Sequence, residues 1–277
     1  MSSVFTLPHQ PITWGGGPHD YTSSSGVHER QLAYYTAETT QRYVWGTRGI
    51  TWDGKVFRYS RSKDTLYAGY GAVNAATVTV AELINSNHTL TIEIGDRAVL
   101  VTIAAAEGYG AGAIAKDELA GAQLVVGHGA AATTETRTVV GNEPVVAGGG
   151  TIMVYVDYPF AIQHTTGFME LPLNAYGYLA KKNNQVASVM GVPNIYVTTG
   201  YNLWIQTWGL CWCVPGGADA DIASTADNRE CVFVGDGSVN GSNIITLENG
   251  FQRAGFVTDA SQTGTGCMPM VMLQISI

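Results

Sequence analysis

Ser60 and Lys63 come closest to a catalytic motif, because Ser-x-x-Lys is the spacing found in penicillin-interacting serine enzymes. In that chemistry the serine attacks an acyl carbon after a base takes its proton. The companion motifs Lys-Thr-Gly and Ser-Asp-Asn are absent from the chain, and no helix is predicted at the serine. The sequence therefore predicts a protein that is not an enzyme. A depolymerising enzyme stays an alternative, because a carboxylate pair for glycoside hydrolysis forms only in the folded chain.

Metal chemistry would need clustered thiolates, imidazoles or carboxylates. Cys211 and Cys213 share one face of a predicted strand, but no second closely spaced Cys or His pair completes a zinc site, so buried free thiols are favoured. Asp219, Asp221 and Asp227 occupy an acidic loop that either binds Ca²⁺ or is solvated. The six histidines are scattered, and we expect them at the surface or in loops. No metal or cofactor is predicted.

The elements that position these residues are β-strands, because apolar residues recur at every second position from about residue 42 onward. Val99, Val101 and Ile103 form one such series, and residues 152–158 form another. Residues 203–212 are apolar on both faces, which is typical of a strand packed on both sides. Long amphipathic helices are absent. The predicted fold class is all-β, with antiparallel sandwich or barrel units and an extended N-terminal arm.

Three regions follow from the same patterns. Residues 1–41 lack periodicity and contain glycine and serine runs, which predicts an extended N-terminal arm. Residues 42–161 are expected to form a β domain, and residues 162–277 a C-terminal β domain that begins with turn-rich sequence. No signal peptide or membrane-length apolar run is visible, so we expect synthesis in a cytoplasm and no membrane segment.

A basic hairpin is predicted at 41–59, where Asp53-Gly54 is expected to form a type I′ turn with both residues at positive φ. Seven basic and four acidic residues lie before position 64, a net charge of +3, whereas the rest of the chain carries −11. The overall charge of −8 argues against nucleic acid as a partner. The basic residues form either a solvated strand face or a docking edge for an acidic partner. The candidate contact residues are Trp14, Arg42, Arg48, Lys55, Arg58, Arg61 and Lys63.

Tryptophan side chains offer a second type of surface. Five of them could stack on sugar rings if exposed, although core packing is favoured for most. An exposed set would indicate a carbohydrate-binding or receptor-binding module. The five are Trp45, Trp52, Trp204, Trp208 and Trp212.

Several segments of the chain resemble a family of tailed-bacteriophage virion proteins, which are usually encoded near the major capsid protein. The segments are YVWGTR at 43–48, DGKVFRY at 53–59, VGN at 140–142, GGGT at 148–151, GVP at 191–193, WIQTWGLCW at 204–212, FVGDGSV at 233–239 and AGFV at 254–257. The resemblance covers residues 40–277 and leaves out the arm.

The resemblance implies a non-enzymatic structural protein of the virion, expected to be a decoration protein on the capsid surface. Its implied partner is the major capsid protein, whose lattice it would stabilise. A homo-oligomer is expected, with a trimer suggested by the symmetry positions that decoration proteins occupy. The alternative is the carbohydrate-binding or receptor-binding virion module, on the head or the tail. Neither role implies catalytic or cofactor-binding residues.

Overall fold

The computed structural model describes residues 12–14, 33–75, 83–88, 91–105, 113–127, 134–165, 167–183, 187–216, 222, 229–241, 251–259 and 269–276. Two curled antiparallel sheets form half-barrels, which confirms the predicted all-β class. Helix is confined, in these residues, to a three-residue 3₁₀ turn at Ala33–Tyr35. Most of the predicted arm lies outside the described ranges.

The strands are short and follow one another closely along the chain. In order they are β1 (Ile12–Trp14), β2 (Arg48–Thr51), β3 (Val56–Arg61), β4 (Ala72–Asn74), β5 (Leu83–His88), β6 (Ala98–Ile103), β7 (Gln123–Gly127), β8 (Thr134–Asn142), β9 (Gly150–Val156), β10 (Gly167–Pro172), β11 (Leu179–Lys181), β12 (Val189–Pro193), β13 (Asn202–Trp212), β14 (Glu230–Phe233), β15 (Val239–Gly241), β16 (Arg253–Asp259) and β17 (Met270–Gln274).

The chain forms two compact units, one inserted into the sequence of the other. Ala76–Ala175 forms the inserted unit, whereas Pro8–Ala75 and Tyr176–Ile277 together form the second unit. The bounds of these units differ from the predicted domain boundaries, which fall at 41/42 and 161/162. β3 pairs with β13, and β10 pairs with β5 and β7, so strands join partners far along the chain. Such long-range pairing leaves no local mark in the sequence.

The inserted unit contains a six-stranded sheet in the order β5-β10-β7-β8-β9-β6. Its predicted alternation is confirmed, since Val99, Val101 and Ile103 of β6 are buried while the residues between them are exposed. Ile152 and Val154 of β9 are buried against them in the same way. One face of this sheet thus forms the core of the unit.

The second unit contains the other sheet, whose main path is β1-β2-β3-β13-β17-β16-β14-β15, with β4, β11 and β12 joined beside it. Asn202–Thr207 is buried at every position, which confirms that β13 packs on both faces. β17 pairs with both β13 and β16, so the last described strand is held inside the sheet. These central strands organise the core of the second unit.

The two described Asp-Gly turns share one geometry, and it is not the predicted type I′. In the β2–β3 turn the Thr51 amide donates to the Lys55 carbonyl at 2.9 Å, and the Gly54 amide donates to the Thr51 carbonyl at 3.0 Å. Gly54 has φ 81°, but Asp53 is not at positive φ. This is the three-residue hairpin turn, in which only the glycine is left-handed. Residues 234–238 repeat the pattern between β14 and β15.

Gly255 of β16 sits where a side chain has no room. A Cβ atom built there would lie 1.9 Å from the Met272 carbonyl oxygen of β17, and the glycine has φ 141°. We expect Gly255→Ala to destabilise the second unit by more than about 2 kcal/mol in urea unfolding, because the clash is with paired backbone. Gly200→Ala is the control, since Gly200 also has positive φ but no atom within 4 Å of its Cβ position. Equal losses in both variants would contradict the steric explanation.

Three cysteines lie together in the core of the second unit, as the buried-thiol interpretation predicts. Cys211, Cys213 and Cys231 are free and at most 2% exposed. A hydrogen bond with Cys211, then burial, raises the pKa of the Cys213 thiol, and burial raises that of Cys231 to about 12. Cys267 lies outside the described residues.

These three thiols are expected to resist alkylation by iodoacetamide at pH 8 in the native protein and to react fully after unfolding in urea. The reason is that all three thiols are buried, and that the raised pKa values of Cys213 and Cys231 also disfavour their reactive thiolate forms. Mass spectrometry of the modified peptides measures each position separately. Rapid native labelling of Cys231 would show that its part of the core opens.

Candidate contact surface on the basic hairpin

The tip of the β2–β3 hairpin is held by side-chain hydrogen bonds. The Lys55 amide donates to Thr51 Oγ1 at 3.0 Å, and the Thr51 hydroxyl also contacts the Asp53 carboxylate. Lys55 Nζ lies 2.9 Å from Asp53 Oδ2, so the two charges at the tip pair with each other. Although burial alone would raise the pKa of Asp53, its Thr51 and Lys55 contacts lower it. The turn therefore presents Trp52, which is 63% exposed, on a well-defined loop.

Arg48 and Arg58 lie directly opposite each other on β2 and β3. Arg58 donates from Nη1 to the Gly46 carbonyl at 3.1 Å and from Nη2 to Ser276 Oγ at 3.4 Å. Arg58 thus ties the hairpin to the end of the last strand. Arg48 Nε is buried without a hydrogen-bond partner among the described residues. Both side chains are partly buried, and Arg58 has a structural role.

Arg61 points to the opposite face of β3 from Arg58, because side chains alternate along a strand. Its guanidinium carbon lies 5.7 Å from the centroid of the Trp45 ring. Trp45 is 3% exposed and donates from Nε1 to Asn202 Oδ1 at 3.0 Å. The guanidinium therefore covers a buried tryptophan.

The other predicted contact residues have local partners as well. Arg42 pairs with Glu38, yet its side chain remains 69% exposed. Lys63 Nζ lies 4.5 Å from the centroid of the Tyr178 ring. Trp14 ends β1, which pairs in parallel with β2, so its backbone lies beside the hairpin, while its side chain is outside the described residues. The structure places these residues around one hairpin. Their basic groups contact separate local partners and do not form one continuous basic patch.

The sequence did not predict the aromatic residues next to the hairpin tip, because the contact residues were chosen mainly by their positive charge. Tyr35 is 50% exposed, and the Tyr34 ring centroid lies 4.5 Å from that of Tyr35 and 5.1 Å from that of Phe57. Burial, with a smaller contribution from Tyr35, raises the pKa of Tyr34, which is close enough to Lys55 to feel its charge. The sequence signal was the Tyr34-Tyr35 doublet inside an otherwise polar segment. We call four residues the hairpin surface: Tyr35, Trp52 and Lys55 near the tip, and Arg42, whose backbone amide donates to Tyr59 farther along β3.

The Ser-x-x-Lys motif does not form a catalytic pair in the fold. Ser60 is fully buried and its hydroxyl donates to the Arg58 carbonyl at 3.2 Å. The Lys63 ammonium lies over Tyr178 instead. The described residues also contain no group of three potential metal ligands, and the loop with Asp219, Asp221 and Asp227 lies outside them.

The tryptophan platform that the sequence left as an alternative is not assembled. Trp45 and Trp204 are each 3% exposed and belong to the core, as the core-packing interpretation expected. Trp208 and Trp212 are half-buried, and Trp52 is the exposed member of the set. A sugar-stacking surface made from these five side chains is therefore not available in the fold.

A buried polar cluster in the inserted unit, formed by Glu135, Arg137 and His164, was also missed. Glu135 contacts Arg137 Nη2 at 2.5 Å and His164 Nε2 at 3.0 Å. It also accepts from the amides of Ala161 at 3.1 Å and Ile162 at 3.3 Å. We call these three side chains the Glu135 cluster. It joins β8 to the segment that follows β9.

His164 lies in the loop between β9 and β10, one of the two expected locations, but it is buried rather than at the surface, with 1% exposure. Its Nδ1 atom is buried without a hydrogen-bond partner among the described residues. The phenyl ring of Phe160 packs edge-to-face with the His164 imidazole, with ring centroids 5.9 Å apart. The signal available in the sequence was Glu135-x-Arg137, whose spacing places opposite charges on one face of a strand. The side chains of the other five histidines lie outside the described residues.

No family model, curated protein or solved structure matches this chain. The part of the chain that the structure describes contains no helix long and apolar enough to cross a membrane.

Proposed function

We propose that this protein is a non-enzymatic structural component of a tailed-bacteriophage virion, and that it decorates the capsid by binding the major capsid protein. The observation that carries the proposal is the firmly held tip with 63% exposed Trp52, which lies between two of the segments that carry the family resemblance, 43–48 and 53–59. Exposed tryptophan, tyrosine and arginine are the residues that most often dominate protein–protein binding energy.

The hairpin surface supplies the chemistry for such a contact. Trp52 and Tyr35 offer apolar rings that lose water on docking, and Arg42 offers an exposed guanidinium for an acidic partner. Lys55 is already paired with Asp53 and adds little net charge. Each contact of this size is weak alone, but repetition over a capsid lattice or within a homo-oligomer multiplies it. A homotrimer on the capsid surface is the arrangement we propose.

Not every candidate contact residue is suitable for a binding test. Arg58 and Arg61 are two of these candidates, but they also hold the fold through Ser276 and Trp45. Their replacement would mix folding with binding. Arg42→Glu is the cleaner variant, because this side chain is 69% exposed.

Arg42→Glu is expected to reduce capsid binding about three- to tenfold at low salt and less at high salt, since surface charge contacts are screened. Binding would be measured by co-sedimenting the purified full chain with heads assembled from the neighbouring capsid gene. Arg253→Glu is the matched control, because Arg253 is also an exposed, singly paired arginine, at 70% exposure. A cryo-electron microscopy map of the virion tests the location. Absence of the chain from the head surface would reject the decoration role.

A further inference from the structure

We propose that a cleft in the second unit binds a neutral saccharide. The cleft has a volume of about 470 Å³, within the range of small-molecule sites. Nothing in this inference depends on capsid binding, since none of the hairpin-surface residues lines the cleft. The lining residues are Asp64, Ala180, Lys181, Lys182, Asn183, Gly235 and Asp236.

Polar groups in the cleft are available for a ligand. Asp64 and Asn183 line the cleft, and both are exposed. Asp236 Oδ1 accepts from the Ser238 amide at 3.0 Å, which orients the carboxylate. A ligand therefore meets carboxylate acceptors and an amide that both donates and accepts. A hydroxyl group can donate a hydrogen bond to a carboxylate, and it can donate to or accept from the amide.

Tyrosine rings lie next to the cleft, beside its lining residue Lys181. The Lys181 ammonium lies 4.1 Å from the centroid of the Tyr70 ring and 5.5 Å from that of Tyr67. Tyr67 in turn meets Tyr196 with ring centroids 5.6 Å apart and an interplanar angle of 77°. Tyr67 is 46% and Tyr196 59% exposed, so two rings form an open corner.

This combination fits a sugar ring, which has apolar C–H faces and a polar hydroxyl edge. An aromatic ring can cover such a face, while its phenolic group stays in contact with water. The hydroxyl edge would hydrogen-bond to the Asp64 carboxylate, the Asn183 amide and the Lys181 ammonium. The polar lining of the cleft and the tyrosine rings are thus neighbours, joined through Lys181.

Charge argues against ionic ligands. The lining includes two aspartates and two lysines, so its formal charge is zero. The Lys182 ammonium turns inward and donates to the Ala187 carbonyl at 3.0 Å, leaving Lys181 as the cation nearest the rings. An anion would face two carboxylates, and the described residues contain no cluster suited to a metal ion. A neutral polyhydroxylated ligand avoids both problems.

The test titrates the full chain with neutral tetrasaccharides of glucose, galactose, mannose and N-acetylglucosamine, using saturation-transfer NMR and calorimetry. We expect at least one to bind, and both Tyr67→Ala and Asp64→Ala to weaken it about fivefold or more. Tyr196→Ala is a second variant, whose 59% exposed ring can be removed with little effect on folding. Tyr158→Ala is the matched control, because Tyr158 is 66% exposed but belongs to the inserted unit.

Three outcomes would overturn the proposal. The first is no binding of any of the four sugars at millimolar concentration. The second is binding of a sulfated oligosaccharide, titrated in parallel, at least as tight as that of the neutral sugars, which would indicate an anion site. The third is an equal loss in Tyr158→Ala and in folded Tyr67→Ala or Tyr196→Ala, with thermal melting used to confirm folding. Loss of capsid binding by Arg42→Glu with intact sugar binding would separate the two functions.

Discussion

Replacing Glu135 with alanine is expected to lower the free energy of unfolding of the inserted unit by about 3–5 kcal/mol. Glu135 is 8% exposed and holds Arg137, His164 and two backbone amides. Its removal would leave a partly buried guanidinium and a buried imidazole without their acceptor. Groups left in this way lose their interactions with water and gain nothing in return. The loss of unfolding free energy is measured by urea titration, with hydrogen exchange of the β8 amides as the probe of the inserted unit.

The matched control is Glu93→Ala in the same unit. Glu93 is exposed and accepts one hydrogen bond, from Gln163 Nε2 at 2.7 Å. A change within about 0.5 kcal/mol is expected, as for most surface substitutions. If both variants lose the same stability, the Glu135 cluster does not support the fold. Glu135→Gln should lie between wild type and alanine, because the amide keeps the shape but not the charge.

The same cluster predicts a pH dependence with a definite sign. Burial by itself raises the pKa of Glu135, but hydrogen bonds from His164, the Ala161 amide and Arg137 lower it below its ordinary value. A carboxylate with a lowered folded-state pKa stabilises the protein above its unfolded pKa of about 4.3, and this stabilisation is lost as the pH falls through the folded value. The stability difference between wild type and Glu135→Gln should therefore shrink in acid. A constant difference from pH 7 to pH 3 would contradict this.

Trp52→Ala is expected to weaken binding to assembled heads by about 30-fold or more, the effect typical of a central interface tryptophan. Its side chain is 63% exposed, while the turn is held by Thr51, Asp53, Gly54 and Lys55. The substitution therefore removes an apolar contact without removing a contact that shapes the loop. The melting temperature should stay close to that of the wild type. Co-sedimentation over a range of concentrations gives the affinity.

Tyr158→Ala provides the control for this prediction, since it removes a similarly exposed ring from the inserted unit. Its head binding should equal that of the wild type. If Trp52→Ala binds assembled heads as tightly as the wild type, the hairpin tip does not contact the capsid. Tyr35→Ala would then show whether the neighbouring ring carries the binding instead.

Residue alternation alone was enough to predict the all-β class, the buried side of β6 and the two-sided burial of β13. These are local properties, because side chains on a strand point to opposite faces in turn. The sequence also located the hairpin turn at Asp53-Gly54, although the turn type was wrong. Only Gly54 has positive φ, since the turn spans three residues instead of two.

Tertiary structure decided what the charged residues do. Arg58 reaches Ser276, Arg61 covers Trp45, and Glu135 binds His164 across 29 positions of sequence. It also decided which unit each strand joins. β3 pairs with β13, although the whole inserted unit separates these two strands in the sequence. Strand pairing and ion pairing depend on the distance between residues in space. A side chain's own sequence neighbours carry little information about that distance, whereas they determine directly which face of a strand it occupies.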